Sequence, residues 1–160
     1  MRHTSRMHPT NRTVLEAVEA AGITPRMVWL DEHARTAPLA AAQIGCAVGA
    51  IANSLVFTCD EEPLLVMASG GARVDTDLLA RTLGAERVER ASAQVVRAAT
   101  GMAIGGVAPA GHPGQLRTLV DVDLQAFDEV WAAGGTPDTV MALTFDELVR
   151  LTGGTPTRVR

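Results

Sequence analysis

The chain has 160 residues, a formal net charge of −4 and fourteen basic side chains, all of which are arginines. The absence of lysine excludes a P-loop nucleotide site, a protein kinase and Schiff-base chemistry, because each of them needs a lysine amine. The acidic charge argues against broad electrostatic binding of nucleic acid, although a local group of arginines could still hold one phosphate.

A polar N-terminal stretch precedes the first regular pattern in the sequence. We expect residues 1–12 to form a flexible tail, with no structural role for His8, and residues 13–156 to form the domain. At this length a domain buries roughly 70% of the surface of its unfolded chain, so it should fold without disulfides or metals.

The remaining pattern alternates between short helices and short strands. Apolar residues at helical spacing, preceded by a capping residue and followed by glycine, predict helices over 13–22, 36–45, 75–84, 92–101 and 144–153. Apolar runs bounded by turn residues predict strands over 27–30, 50–58, 64–68, 116–122, 129–133 and 140–143. Short strands are also expected between and after the helices over 75–84 and 92–101. A polar turn from Asp60 to Pro63 should join the second and third strands into a hairpin. We therefore predict a single-domain α+β fold with a mixed, barrel-like β-sheet and surrounding helices.

Residues 101–114 predict a long loop, with five glycines and two prolines in fourteen residues. Loops of this length are often functional. Its segment Gly105–Pro109 could turn consecutive backbone N–H groups toward a carbonyl or an oxyanion, because glycine permits close approach and positive φ. The alternative is a plain turn.

A few polar residues outside this loop are also candidates. Asn53 could orient a carbonyl or a water molecule, or it could be a strand amide bonded to backbone. His33 could be a base or a solvated side chain. Asp121 and Asp123 could be a pair of carboxylates on one strand face, but flanking a turn and capping the next helix is the simpler interpretation. The cysteines and histidines do not have the spacing of a metal site.

Several segments, taken in order, carry a resemblance to a known family. They are His33–Thr36 with the alanine-rich helix to Gly45, Ile51–Phe57, Arg73–Asp75, Gly105–Pro109, Asp121, Gly134–Gly135 and Leu143–Leu148. Together they cover about residues 13 to 154 and resemble the YbaK/EbsC family, which is related to the editing domain of bacterial prolyl-tRNA synthetase. The most specific element is the Gly-x-x-x-Pro loop from Gly105 to Pro109 combined with the Ser-Leu-Val-Phe strand.

No apolar run reaches the ~18 residues of a membrane span and the polar N-terminal stretch has no signal-peptide core, so we expect a cytoplasmic protein. The resemblance implies a freestanding aminoacyl-tRNA deacylase that hydrolyses the ester of a mischarged tRNA, commonly tRNA(Pro), without a metal or other cofactor. The implied partners are the aminoacylated 3′ end of tRNA and an aminoacyl-tRNA synthetase, with neither membrane nor DNA, in a monomer or a homodimer. The implied catalytic residues are Asn53, Ser54, Gly105 and Pro109. The implied substrate-binding residues are His33, Thr36, Arg73, Gly106, Val107, Gly134 and Gly135.

One position departs from the family pattern. Many family editors carry a lysine where this chain has Asn53, and that lysine is thought to engage the phosphate region at the tRNA 3′ end. An amide cannot supply this charge. Either an arginine such as Arg73 or Arg35 binds the phosphate, or the chain is a weak or inactive deacylase that acts as a binding module. Alanine and valine in the expected pocket favour a small amino acid.

Overall fold

The computed structural model describes residues 7–31, 36–71 and 73–160. Its helices are α1 (Pro9–Ala20), α2 (Ala37–Ile44), α3 (Thr76–Leu83), α4 (Ala93–Thr100) and α5 (Phe145–Thr152). Its strands are β1 (Met27–Trp29), β2 (Ile51–Cys59), β3 (Glu62–Ser69), β4 (Val88–Arg90), β5 (Arg117–Asp121), β6 (Val130–Ala133), β7 (Thr139–Leu143) and β8 (Thr155–Thr157). The predicted α+β class with a mixed sheet is confirmed.

All eight strands belong to one sheet, in the order β1-β7-β6-β2-β3-β5-β8, with β4 also paired to β2. The hairpin of β2 and β3 is antiparallel, whereas β6 lies parallel to β2 and β5 lies parallel to β3. The strand β8 is missing from the predicted elements, because three residues that include Pro156 carry no strand signal of their own.

The hairpin turn is shorter than predicted. Only Asp60 and Glu61 lie between the strands, and both have positive φ, as a two-residue turn of the mirror-image type requires. Pro63 lies inside β3 opposite Thr58, not in the turn. We infer that this pair is one of the non-hydrogen-bonded pairs of the ladder, where the missing N–H of proline costs nothing.

Helix starts follow the sequence signals with one exception. Thr36, Asp75, Ser92 and Thr144 each accept a hydrogen bond from a backbone N–H of the first turn, as capping residues do. The prediction was wrong for α1, which begins at Pro9 and not at Thr13. His8 caps this helix through its ring nitrogen, so it does have a structural role, and Asn11 in the first turn is buried.

The sheet has helices on both faces, and the alternation along β2 defines them. Ala52 and Val56 pack in a core cluster with Val96 of α4, and we call this side of the sheet the α4 face. Phe57 packs in a second cluster with Leu79 of α3, on the opposite side, which we call the α3 face. Because side chains alternate along a strand, Asn53 also lies on the α3 face and Ser54 on the α4 face.

The last residue of the chain is tied to the sheet by an ion pair. The Arg160 guanidinium donates to the Asp121 carboxylate at 2.7 Å, and that side chain is 1% exposed. Asp121 also accepts hydrogen bonds from the N–H groups of Ser69 and Asp123, the second of which is the predicted turn contact. Within the described ranges, no helix has the length and apolar character needed to cross a membrane.

Candidate functional site

One edge of β2 is interrupted in the middle of the strand. On this edge β6 pairs only with Ile51 and Ala52, and β4 pairs only with residues 57–59. No strand in the described ranges pairs with the edge between them. Residues 53–55 are half-buried, although the residues on either side of them are buried. The interruption is therefore an opening in the sheet.

The hairpin register determines which backbone groups face this opening. Cys59 and Glu62 close a two-residue turn and form a hydrogen-bonded pair, so the odd-numbered residues of β2 bond to β3. Gly70 N–H donates to Ile51 O at 2.7 Å, which agrees with this alternation. On the other edge, Ala91 N–H donates to Val56 O at 3.1 Å. The N–H and C=O of Ser54 must then both point toward the interrupted edge.

A cleft of about 260 Å³ lies at the interruption. It brings together Asn53 and Ser54 of β2, Gly105 and Val107 of the glycine-rich loop, and Thr36 at the start of α2. Most of its other lining residues are apolar, and many are small: Ala37, Ala40, Ile51, Ala52, Leu55, Val56, Ala91, Val96, Ile104, Trp131, Ala133, Pro137 and Val140. Such a cleft suits a small ligand with an apolar side chain and a few polar atoms.

The Asn53 amide is oriented by backbone. Its Nδ2 donates to Gly70 O at 2.9 Å, as expected if Asn53 is a strand amide bonded to the backbone. Its Oδ1 accepts no hydrogen bond from the described residues, so this atom could still accept one from a ligand in the cleft. The neighbouring Ser54 hydroxyl donates to the Met67 sulfur at 3.4 Å and is thus directed at the sheet. Ser54 is therefore better placed to act through its backbone than through its hydroxyl.

The glycine-rich loop offers fewer free N–H groups than its sequence suggests. Gly106 N–H donates to Ala103 O at 3.0 Å, and Ala108 N–H donates to the Met102 sulfur at 3.2 Å. Pro109 has no N–H and is buried. The N–H groups of Gly105 and Val107 have no partner among the described residues, and these are the two members of the segment that line the cleft.

The three predicted substrate-binding glycines, Gly106, Gly134 and Gly135, lie outside the cleft lining and are tightly packed. A Cβ on Gly106 would meet the backbone of Thr136 at 2.9 Å. A Cβ on Gly134 would meet the side chains of Met27 and Thr139 at 2.9 Å, and one on Gly135 would meet α1 at a similar distance. Close approach of neighbouring chain segments accounts for these glycines without a ligand.

The loop is also anchored by a histidine that the sequence analysis did not single out. The ring of His112 is hydrogen-bonded through Nε2 to Ala108 O at 2.8 Å. Burial lowers the pKa of His112 below its usual value, and this backbone hydrogen bond only partly opposes the shift. Because a carbonyl oxygen only accepts, Nε2 carries a hydrogen in this contact, and burial of the ring disfavours its charged form.

The remaining predicted site residues are not all in the cleft. Thr36 lines it, but its hydroxyl caps α2 by accepting from Leu39 N–H at 3.3 Å. Arg73 is exposed and lies outside the cleft lining. His33 and Arg35 lie outside the described residues.

Arg90 is a cleft residue that the sequence analysis missed. It pairs with Phe57 across β2 and β4, so it lies on the α3 face with Asn53, and its guanidinium carbon is 5.6 Å from the Phe57 ring centroid. Among the described residues lining the cleft it carries the only charge, and it makes no ion pair with the described part of the chain. No local signal distinguishes this arginine from its neighbours, because its position depends on the pairing of β4 with β2.

Comparison with known proteins agrees with this architecture. The sequence profile of the aminoacyl-tRNA editing domain matches residues 31–151. The uncharacterized protein YwhH of Bacillus subtilis is 33% identical over 114 residues, which are 71% of this chain and 72% of that protein. The proline–tRNA ligase of Nitratidesulfovibrio vulgaris is 30% identical over 101 residues, which are 63% of this chain but 17% of the ligase.

Solved structures extend the similarity to nearly the whole chain. A protein described as a candidate trans-editing enzyme for prolyl tRNA synthetase has a TM-score of 0.88 and 38% identity, over 96% of this chain and 98% of that one. The hypothetical protein APE2540 has a TM-score of 0.84 and 28% identity, over 92% of this chain and 98% of that one.

The fold and these similarities thus define a single-domain α+β protein of the editing type. The chain belongs to the aminoacyl-tRNA editing domain family.

Proposed function

We propose that this protein hydrolyses the ester of mischarged tRNA in trans, with a small amino acid on a tRNA(Pro)-type acceptor as the substrate. The observation that carries this proposal is the cleft at the interrupted edge of β2. Gly105 and Val107, whose N–H groups have no partner among the described residues, line the same cleft as Asn53 and Ser54, within mostly small aliphatic walls. Resemblance to proteins of prolyl-tRNA editing supports the choice of acceptor.

The reaction needs little from the protein beyond position and charge stabilisation. Water adds to the ester carbonyl, the bond from the acyl carbon to the ribose oxygen breaks, and free amino acid and tRNA leave. The aminoacyl ester is already activated, so fixing the carbonyl and stabilising its developing oxyanion with N–H donors can accelerate hydrolysis. In this proposal Gly105 and Val107 are the donors, and Asn53 positions the ribose or the attacking water.

The single charge in the described part of the cleft suggests how tRNA is held. A guanidinium matches phosphate oxygens well, and Arg90 has no competing carboxylate among the described residues. We assign it the phosphate contact near the tRNA 3′ end. In deacylation assays Arg90→Gln should raise KM and flatten the salt dependence, whereas Arg87→Gln, an exposed arginine outside the cleft, should leave both unchanged.

A panel of mischarged tRNAs tests the proposed activity directly. The expected result is hydrolysis of alanyl-, seryl- or cysteinyl-tRNA(Pro) well above the buffer rate, with little effect on correctly charged prolyl-tRNA. No rate above buffer for any member of the panel would contradict the proposal.

A catalytically weak binding module is the second candidate, and a specific observation favours it. The described residues lining the cleft include no aspartate, glutamate, histidine or cysteine that could act as a base, and Asn53 brings no charge. In that case tRNA or an aminoacyl ligand binds without turnover, and Asn53→Ala weakens the affinity without changing a rate. A strong gain of deacylation in Asn53→Lys would identify the missing amine as the reason for the low activity.

The proposed role in translation also implies where the protein acts and which partner it meets. A trans-editing protein acts in the cytoplasm on tRNA released by a synthetase, so a transient contact with an aminoacyl-tRNA synthetase is expected. We propose a monomer or a homodimer, with no cofactor. Size-exclusion chromatography with light scattering would determine the oligomeric state.

A further inference from the structure

The interrupted edge of β2 offers both backbone groups of one residue to the cleft. Ser54 directs its N–H and its C=O away from β3, as the hairpin register requires. Pairing with β6 ends at Ala52 and pairing with β4 begins at Phe57, so no described strand pairs with Ser54. One donor and one acceptor of a single strand residue thus face the same ligand space.

An antiparallel ladder shows which ligand fits such an arrangement. In a hydrogen-bonded antiparallel pair, two opposite residues exchange both of their N–H···O bonds. An aminoacyl ester carries the same two groups on one α-carbon, because its α-amino group donates and its ester carbonyl accepts. The aminoacyl group can therefore pair with Ser54 as a strand of one residue.

This pairing also fixes the direction of the amino acid side chain. Directly opposite residues in an antiparallel pair place their side chains on the same face of the sheet. Ser54 lies on the α4 face, where its hydroxyl contacts Met67 of the core cluster that also contains Val96 and Val107. The side chain of an L-amino acid would then point at Val96 and Val107, whose buried positions limit its size.

We infer that the backbone of Ser54 recognises the aminoacyl group by β-augmentation, with Ser54 C=O accepting from the substrate α-amino group and Ser54 N–H donating to the ester carbonyl. The ligand class is accordingly an α-amino acyl ester, and an acyl group without the amine is a poor ligand. This inference rests on the proposed function for the identity of the ligand, but it concerns binding and does not require turnover.

A pair of amide-linked analogues tests the inference in the intact protein. One is 3′-(L-alanylamino)-3′-deoxyadenosine, and the other is 3′-propionylamino-3′-deoxyadenosine, which lacks only the amine. Isothermal titration calorimetry should show roughly 10- to 100-fold weaker binding of the propionyl analogue, since a hydrogen bond from a charged donor is lost. Equal affinities, or no binding of the alanyl analogue at millimolar concentration, would overturn the inference.

A pair of variants tests the donor half of the same contact. Ser54→Pro removes the N–H, which the ladder with β3 does not use, and Ser54→Ala is the reference that keeps the N–H and loses the hydroxyl. The alanyl analogue should bind at least about fivefold more weakly to Ser54→Pro than to Ser54→Ala. Equal binding would refute the donor role. Circular dichroism would show whether Ser54→Pro folds. If it does not, the comparison of the two analogues with the unsubstituted protein still tests the inference.

The failure of this inference and the failure of the proposed function give different results. The deacylation panel measures turnover of intact aminoacyl-tRNA, and the analogues measure recognition of the amine. An active deacylase that binds both analogues equally retains the proposed function and loses the Ser54 contact. An inactive protein that prefers the alanyl analogue retains the contact and loses the catalytic proposal.

Discussion

The substitution Gly106→Ala separates a packing role of the glycine-rich loop from a direct role in substrate binding. A Cβ at this position would meet the carbonyl carbon of Thr136 at 2.9 Å and the nitrogen of Pro137 at 3.0 Å. Both are backbone atoms, which cannot rotate away as the end of a flexible side chain can. The loop or the 136–137 segment must therefore shift.

The size of the effect follows from this contact. Overpacking by one methyl group costs about 1–3 kcal/mol. For a chain of this length the loss corresponds to a fall of roughly 2–12 °C in Tm. Because Gly105 and Val107 flank the position, the shift should also displace their N–H groups and reduce deacylation.

Two glycines of the same loop provide matched controls. Gly114 lies in open space outside the left-handed region, so Gly114→Ala should change the free energy of unfolding by no more than about 0.5 kcal/mol. Gly105 also has open space but a φ of +93°, so Gly105→Ala should cost roughly 1–2 kcal/mol through backbone strain alone. Thermal and urea unfolding, followed by circular dichroism, would measure all three variants.

Two outcomes would contradict the packing argument. If Gly106→Ala kept the natural Tm but lost activity, the glycine would be needed for direct substrate contact, as the family resemblance first implied. If it kept both, the loop would not be held against residues 136–137 as described.

Two further substitutions should change the stability of the protein in a direction that the structure determines. Arg160→Ala should lower the free energy of unfolding by about 1.5–3 kcal/mol, because it leaves the buried Asp121 carboxylate with only its backbone donors. The control for urea unfolding is Arg12→Ala, at an exposed position of α1. The pKa of His112 is lowered in the folded chain. The buried ring therefore contributes its full stabilisation at pH values above the ordinary pKa of 6.5, and this stabilisation is lost as the pH falls below that value. His112→Gln should flatten this part of the stability curve between pH 7.5 and pH 5, and an unchanged slope would show that another group is responsible.

The sequence allows the helices and the hairpin to be predicted because their signals are local. Asp75 and Ser92 have an oxygen that can reach the first free N–H groups of the next helix, and a glycine follows each helix end. His8 is a rarer cap, which explains why the start of α1 was misplaced. The strand β8 forms only because β5 lies beside it, and three residues with a proline do not predict that pairing.

The residues of the candidate site divide in the same way, into those with a local sequence signal and those placed by pairing between distant segments. Asn53 and the Gly105–Pro109 segment could be named from the sequence, because a polar residue in an apolar strand and a glycine-rich loop are local signals. Arg90 could not, since it reaches the cleft only through the pairing of β4 with β2, a contact between distant parts of the chain. The free backbone groups of Ser54 have no sequence signal of any kind, because every residue except proline has them.

The interrupted edge of β2 has a consequence for the solubility of the folded chain. An exposed strand edge can template another strand and so lead to aggregation, and long, flat edges are the most hazardous. Here β6 covers one end of the edge and β4 covers the other, so an extended strand that ran past the open stretch between Ala52 and Phe57 would meet β6 or β4. We therefore expect the open stretch to admit a single residue of a ligand more readily than an extended peptide of another molecule, and its unpaired backbone groups should not template self-association.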